Sequence, residues 1–199
     1  MGKGLEDLRV LKTLKSLRAA VLELASQNPI DKISVVDICE VALINRMTFY
    51  KYYKDKFELF RDAIESAKKE IGDKITIEFD GTKQTAIKMA INCLDAIYEY
   101  YCEHNDVIAG VSRYNGSMLS NAIASNAMEL LSRAFDLKEG NLSSKYPSDV
   151  IAACVYGGFI GFVEYCLNNP SEYDPQSIRI YLTRLEKDII FRNYTVAEE

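Results

Sequence analysis

The amino-acid sequence predicts an all-α protein of about nine helices, and three observations carry that expectation. Apolar residues return at steps of three and four through several long stretches, as one face of a helix requires. Asn-Pro and Asp-Pro steps and Gly-containing polar runs separate those stretches. No stretch between them shows the alternation of a half-buried strand convincingly. The 199 residues are 48% hydrophobic and 27% charged, enough to bury a core across one or two domains.

In chain order, residues 5–27 form a first helix with Leu8, Leu11, Leu14, Leu17, Val21 and Leu24 as its stripe, ended by Asn28-Pro29. Ser34 stands as an N-cap with Asp37 three residues on, so a second helix opens at Val35, with Ile38, Val41 and Ala42 on its apolar side. Asn45 caps a third helix over 46–52, whose inward residues are Phe49 and Tyr53 at i and i+4. Arg46, Met47, Thr48, Lys51 and Tyr52 then point outward. Asp55 caps a fourth helix over 56–74 that buries Phe57, Phe60, Ile64 and Ala67 or Ile71.

Residues 76–82, with Asp80-Gly81, read as a loop. A long helix follows from Thr82 to about Asn105; the chain over 106–116 is expected to break at Gly110 and Gly116 before a helix from Ser117 to Phe135. Residues 138–147 are polar and loop-like. Ser148 then opens a strongly apolar helix to Asn168, and Pro175 at a first helical position starts the last one, to about Tyr194.

Two short helices joined by a tight turn, the second offering donors at its start, are the layout of a helix-turn-helix DNA reader. A plain helical hairpin with a solvated face fits the same spacing. The charge distribution bears on the choice: residues 1–71 carry 13 Lys+Arg against 11 Asp+Glu, net +2, and residues 72–199 carry 11 against 18, net −7. The more basic part thus contains the reader, and an acidic remainder does not prevent local phosphate contacts.

The run from Asn28 to Ala42, followed by Thr48-Phe49-Tyr50-Lys51-Tyr52-Tyr53-Lys54-Asp55-Lys56 and Glu58-Leu59-Phe60, resembles the N-terminal DNA-binding domain of TetR-family transcriptional regulators. The resemblance covers roughly residues 14–62. It implies a DNA-binding domain over 1–55 and a C-terminal effector-binding and dimerisation domain over 56–199. It places the helix beginning at Asn45 in the major groove, with Thr48, Tyr50 and Lys56 matching backbone contacts. Arg46, Met47 and Tyr52 match positions facing bases or nearby phosphates, and Ser34 and Val36 match positions that approach DNA; Lys51 lies on the same outward face. One departure stands out: Leu43 occupies the turn where the family has a glycine able to reach positive φ cheaply.

In the apolar helix of 148–168, Gly157, Gly158 and Gly161 lie among aromatic residues, and each mid-helix glycine costs about 1 kcal/mol against alanine. Close approach of another helix would explain them. The last helix offers Tyr181, Leu182, Leu185 and Ile189 as a complementary stripe, so these residues, with Tyr165, are expected at a homodimer interface built as a four-helix bundle. The resemblance agrees, since TetR-family regulators usually dimerise through their last two long helices. It also implies a small-molecule effector enclosed by the middle helices, for which Met89, Cys93, Tyr98, Arg113, Tyr114 and Phe162 are the candidates.

The resulting expectation is a dimeric repressor that binds double-stranded operator DNA and is released by an effector; the alternative is a TetR-like regulator acting through protein partners. No enzyme is expected, because the chain has one histidine, no nucleophile elbow and no phosphate loop. Five cysteines lack any C-x-x-C pair, and Cys102 with His104 makes a poor metal site, so no metal or cofactor is expected. The sequence shows no signal peptide and no apolar run near the ~18 residues of a membrane span, so a cytoplasmic protein without a membrane partner is expected.

Overall fold

The computed structural model describes residues 3–75, 82–136, 146–169, 171–173, 177, 178, 180–182 and 184. Among these, seven α-helices and one short 3-10 turn occur and no strand does, so the fold is all-α. The helices are α1 (Lys3–Ala25), α2 (Val35–Ala42), α3 (Arg46–Tyr52), α4 (Lys56–Asp73), α5 (Lys83–Asn115), α6 (Met118–Phe135) and α7 (Ser148–Asn168), with the 3-10 turn over Ile30–Lys32. The 76–81 loop, Leu185 and Ile189 lie outside the described residues; residues 177, 178, 180–182 and 184, within the expected last helix, are helical.

Two compact units emerge. One combines residues 1–69 with 104–122; the other combines 70–103 with 123–199.

In the first unit, Leu17, Ala20, Val21 and Ala25 of α1 are buried, as are Ile38, Cys39 and Ala42 of α2, Phe49 of α3 and Leu59, Phe60, Ala63, Ile64 and Ala67 of α4. Ile108, Val111 and Leu119, from the far half of α5 and the start of α6, are buried there as well. Periodicity overextended some of these faces. Leu8 and Leu11 are more than half exposed, Val41 and Phe57 are partly exposed, and Cys39 takes the buried place on α2. A repeat of three and four tells which face is apolar, not how far along the helix a partner extends.

The expected break at Gly110 does not occur. α5 runs helically through it to Asn115, and only Gly116, at φ +68°, turns the chain. The interruption lies earlier, at His104, whose φ of −128° and ψ of 15° kink α5. Gly110 serves a different purpose: a Cβ there would stand 2.3 Å from the carbonyl oxygen of Ser26, so glycine is what lets α5 lie against the end of α1.

In the second unit, Met89, Ala90, Cys93, Leu94, Ile97, Tyr98 and Tyr101 of α5 are buried. Ile123, Ala127 and Leu131 of α6 and Ala152, Val155, Phe159, Val163 and Cys166 of α7 are buried in the same unit. Helix α7 also corrects the apolar-run count. Over Ser148–Leu167 it is long and apolar enough to cross a membrane by length and composition, with a third of that stretch buried. Asp149 and Glu164 interrupt the uncharged run without lowering its average hydropathy below that level.

Candidate nucleic-acid interface

The geometry of residues 30–62 is set by a chain of caps. Ser34 Oγ accepts a hydrogen bond from the Asp37 N–H (3.1 Å), and the Asp37 carboxylate accepts one from the Ser34 N–H (2.8 Å), a reciprocal capping box. Those bonds hold the Asp37 carboxyl below the usual aspartate range.

Helix α2 ends at Leu43, which adopts the left-handed conformation at φ 56° and ψ 39°. The Leu43 N–H donates to the Glu40 carbonyl (3.2 Å) and the Ile44 N–H to the Cys39 carbonyl (2.9 Å), the two bonds of a Schellman motif. The turn therefore keeps its geometry and leucine bears the strain that glycine would avoid, with a side chain 91% exposed. Two residues later, Asn45 Oδ1 accepts from the Met47 N–H (2.8 Å) and starts α3.

Helix α3 is held from below. Phe49 is fully buried, and its ring meets those of Tyr50 and Tyr53 at centroid distances of 5.3 and 5.9 Å. The Tyr53 hydroxyl donates to Asp62 Oδ2 on α4, which also accepts from Arg18 Nε on α1 (2.7 Å); Arg18 Nη1 reaches Ser66 Oγ (3.3 Å). Burial raises the Tyr53 hydroxyl to about 12, and its bond to the Asp62 carboxylate adds to the rise. Burial would raise Asp62, but the bonds from Arg18 and Tyr53 outweigh it and hold the carboxyl low.

Helix α4 opens on Asp55, whose Oδ1 accepts from the Glu58 N–H (2.8 Å), while Glu58 Oε2 accepts from the Lys54 N–H (2.7 Å). Lys56, half-exposed, is engaged by its own chain: its ammonium donates to the carbonyls of Asp31 (2.8 Å) and Ile33 (2.7 Å) and lies 5.2 Å from the Phe57 ring centroid. It braces the segment entering α2, a use that sequence spacing gave no sign of.

What remains in solvent on α3 is Arg46, Met47, Tyr50 and Lys51, with Thr48 and Tyr52 half-buried. Lys51 lies 5.5 Å from the Tyr52 ring centroid. Ser34, Val36 and Asn45 are exposed as well, whereas the Lys56 ammonium is tied to backbone carbonyls. A shallow hollow beside this surface is lined by Val36, Cys39, Leu43, Ile44 and Arg46, among others. Burial raises the Cys39 thiol, and the Arg46 charge partly opposes the rise.

Asn115, at the end of α5, was not singled out by the sequence and proves central to this unit. Its Nδ2 donates to the carbonyls of Ala25 (2.7 Å) and Asn28 (3.1 Å), and its Oδ1 accepts from the Ile30 N–H (2.6 Å). Nothing local marks such a residue, because its partners lie about ninety residues away in the chain.

The other candidate sets divide between the units. Met89, Cys93 and Tyr98 are buried and Phe162 half-buried in the second unit, while Arg113 and Tyr114 are exposed in the first. Burial raises the Cys93 thiol to about 12. Nearby, burial also raises the Tyr156 hydroxyl, reinforced by Tyr101 and Glu164. Gly157, Gly158 and Gly161 form an open strip on α7: among the described residues, a Cβ at any of them would meet nothing within 4 Å. Tyr165 and Tyr181 are about half exposed, and Leu182 is buried.

A capped α2, a Schellman turn and a capped α3 with a free outer face define a helix-turn-helix protein, joined here to an all-α C-terminal part. The fold is that of the TetR family of transcriptional regulators. It is shared with a Clostridium perfringens protein provisionally assigned as a fatty acid metabolism regulator, at 16% identity over 88% of this chain and 97% of that one, with a TM-score of 0.66. NalD, the secondary repressor of the MexAB-OprM multidrug efflux pump in Pseudomonas aeruginosa, matches at 15% identity over 96% and 100%, with a TM-score of 0.65. A tetR-family transcriptional regulator from Streptomyces coelicolor matches at 16% identity over 90% and 78%, with a TM-score of 0.57. At these identities the likeness is one of fold. No family model matches the chain, and no curated protein is similar to it in sequence.

Proposed function

We propose that this chain is a cytoplasmic, homodimeric transcription regulator that binds a palindromic operator as a repressor and is released by a small-molecule effector. The observation that carries the reading is the outer face of α3. Arg46, Met47, Tyr50 and Lys51 stand in solvent on a short helix whose other side is fixed by Phe49 and by Tyr53 bonded to Asp62. A helix locked on one side and unpartnered on the other suits major-groove entry, which needs a rigid element of that size. Lys51 and Lys54 are exposed beside it for phosphate contact, with Ser34, Thr48 and Tyr52 as further donors.

DNA reading belongs to residues 1–55 in this proposal, and effector binding and dimerisation belong to 56–199. The open glycine strip on α7, with the half-exposed Tyr165 and Tyr181, supplies the self-complementary face on which two subunits meet about a twofold axis, whereas Leu182, expected there from the sequence, is buried within the subunit. Half-sites would then be about 34 Å apart, one turn of the duplex. Met89, Cys93, Tyr98 and Phe162 supply an apolar effector site with thiol and hydroxyl handles.

The test is an electrophoretic shift with duplexes selected from a random library, repeated at rising salt. The wild type should enrich a palindrome and lose affinity steeply with salt, and Arg46→Ala should abolish the preference. Enrichment of no sequence would defeat the reading. A second reading, regulation through a protein partner, draws support from the exposed Leu43 beside the hollow at Arg46; it predicts that regulation in cells survives Arg46→Ala.

A further inference from the structure

We infer that Met47 is a specificity-determining residue that reads the C5-methyl group of a thymine in each operator half-site. The inference rests on the reading of α3 as the DNA-contacting helix.

Arg46 is the one exposed side chain in the first turn of α3 able to fork two hydrogen bonds onto a base edge. The Asn45 amide oxygen is already engaged by the Met47 N–H at 2.8 Å, which ties its side chain to the helix start. Beside Arg46 on this surface stands an apolar group: Met47 is 84% exposed, against 52% for Tyr50. A thioether accepts hydrogen bonds weakly and carries no charge, so Met47 can neither pair a phosphate nor satisfy a base-edge donor well.

The surroundings select the occupant. Arg46, adjacent to Met47, and Lys51, one helical turn on, are exposed on α3, and Lys54 is exposed just past its end, which suits a polyanion rather than an apolar protein surface. On the major-groove edges of the four base pairs the apolar group is the thymine C5-methyl. An unbranched side chain with three rotatable bonds can settle onto that methyl without demanding one fixed register. Arg46 and Met47, adjacent on one turn, would accordingly read a guanine and a thymine close together, the first by hydrogen bonds and the second by apolar contact. Burying one methyl against Met47 corresponds to about a fourfold gain in affinity.

The experiment uses the full-length protein and the duplex enriched from a random library, with affinity followed by fluorescence anisotropy. Each thymine is replaced in turn by deoxyuridine, which removes the methyl group and leaves base pairing unchanged. At one thymine or more per half-site the wild type should lose about fourfold, and Met47→Ala should show no loss there. Because the Met47 side chain is 84% exposed, the variant should melt at the wild-type temperature. If every deoxyuridine duplex binds within twofold of its parent, or if Met47→Ala keeps the same sensitivity, the inference is overturned while the regulator reading stands. If the library yields no preferred sequence, both fall.

Discussion

Asn115 at the end of α5 accepts a hydrogen bond from the backbone N–H of Ile30, 85 residues earlier, at 2.6 Å. The same side chain donates to the carbonyls of Ala25 and Asn28, so one amide serves both the last turn of α1 and the segment that leads to α2. Backbone groups near a helix end need partners, and here a distant helix supplies them. Asn115→Ala would leave two part-buried groups, the Ala25 carbonyl and the Ile30 N–H, and one exposed carbonyl, that of Asn28, to water or to nothing. The expected cost is about 1–3 kcal/mol in urea unfolding. Asn115→Asp should recover part of it, because a carboxylate can still accept from Ile30 but cannot donate to the two carbonyls.

Glycines in α5 and α7 should respond in opposite ways. Gly110→Ala forces a Cβ to within 2.3 Å of the Ser26 carbonyl oxygen and should lower the melting temperature. Gly157→Ala meets open space and gains helix propensity of about 1 kcal/mol. Under the proposed dimer, larger side chains at Gly158 or Gly161 should leave helix content intact and weaken self-association, read by sedimentation across a concentration series.

Leu43 holds the left-handed turn that glycine would hold without strain. Its side chain is almost wholly exposed, so Leu43→Gly removes little packing. The relief of the left-handed penalty exceeds the extra chain entropy of glycine, and a net gain of about 0.5–1 kcal/mol is expected in chemical denaturation.

The Arg18, Asp62 and Tyr53 cluster gives the first unit a defined pH response. Asp62 is held low in the folded state, so its contribution is present above the unfolded aspartate range and is lost as pH falls through the lower folded value. Tyr53 is raised to about 12, so its contribution is whole below the ordinary tyrosine value and fades as pH climbs from about 10 towards 12. Tyr53→Phe should remove the alkaline component while leaving the ring in the core. Circular dichroism melts at pH 3 to 11 would show it; an unchanged alkaline limb in the variant would contradict the assignment.

Lys56 should behave as a brace. Lys56→Met loses two bonds, to Asp31 and Ile33, and should destabilise the protein by about 1–3 kcal/mol. If Lys56 instead acted chiefly as a phosphate contact, the variant would keep its stability and reduce the salt dependence of DNA binding by about one unit of slope.

Local chemistry made α2, α3 and α7 legible to the residue. Ser34 with Asp37 and the amide of Asn45 mark helix starts through bonds made within three residues, and Pro147-Ser148 marks the start of α7. Phe49 and Tyr53 were recognisable as inward by spacing alone. The exposed half of α1 and the unbroken α5 were not, because burial depends on where a partner helix ends and Gly110 answers to a backbone beyond its own neighbours.

By itself, the sequence determined the all-α class, the helix-turn-helix with its caps, and the set of side chains available on α3. These follow from dihedral preference and hydrogen bonds that reach no further than one turn. Tertiary structure alone decided that the Lys56 ammonium bonds the carbonyls of Asp31 and Ile33 and that Asn115 closes the gap between α1 and α2. Each of those outcomes depends on groups brought together only when distant segments pack, and no local pattern encodes them.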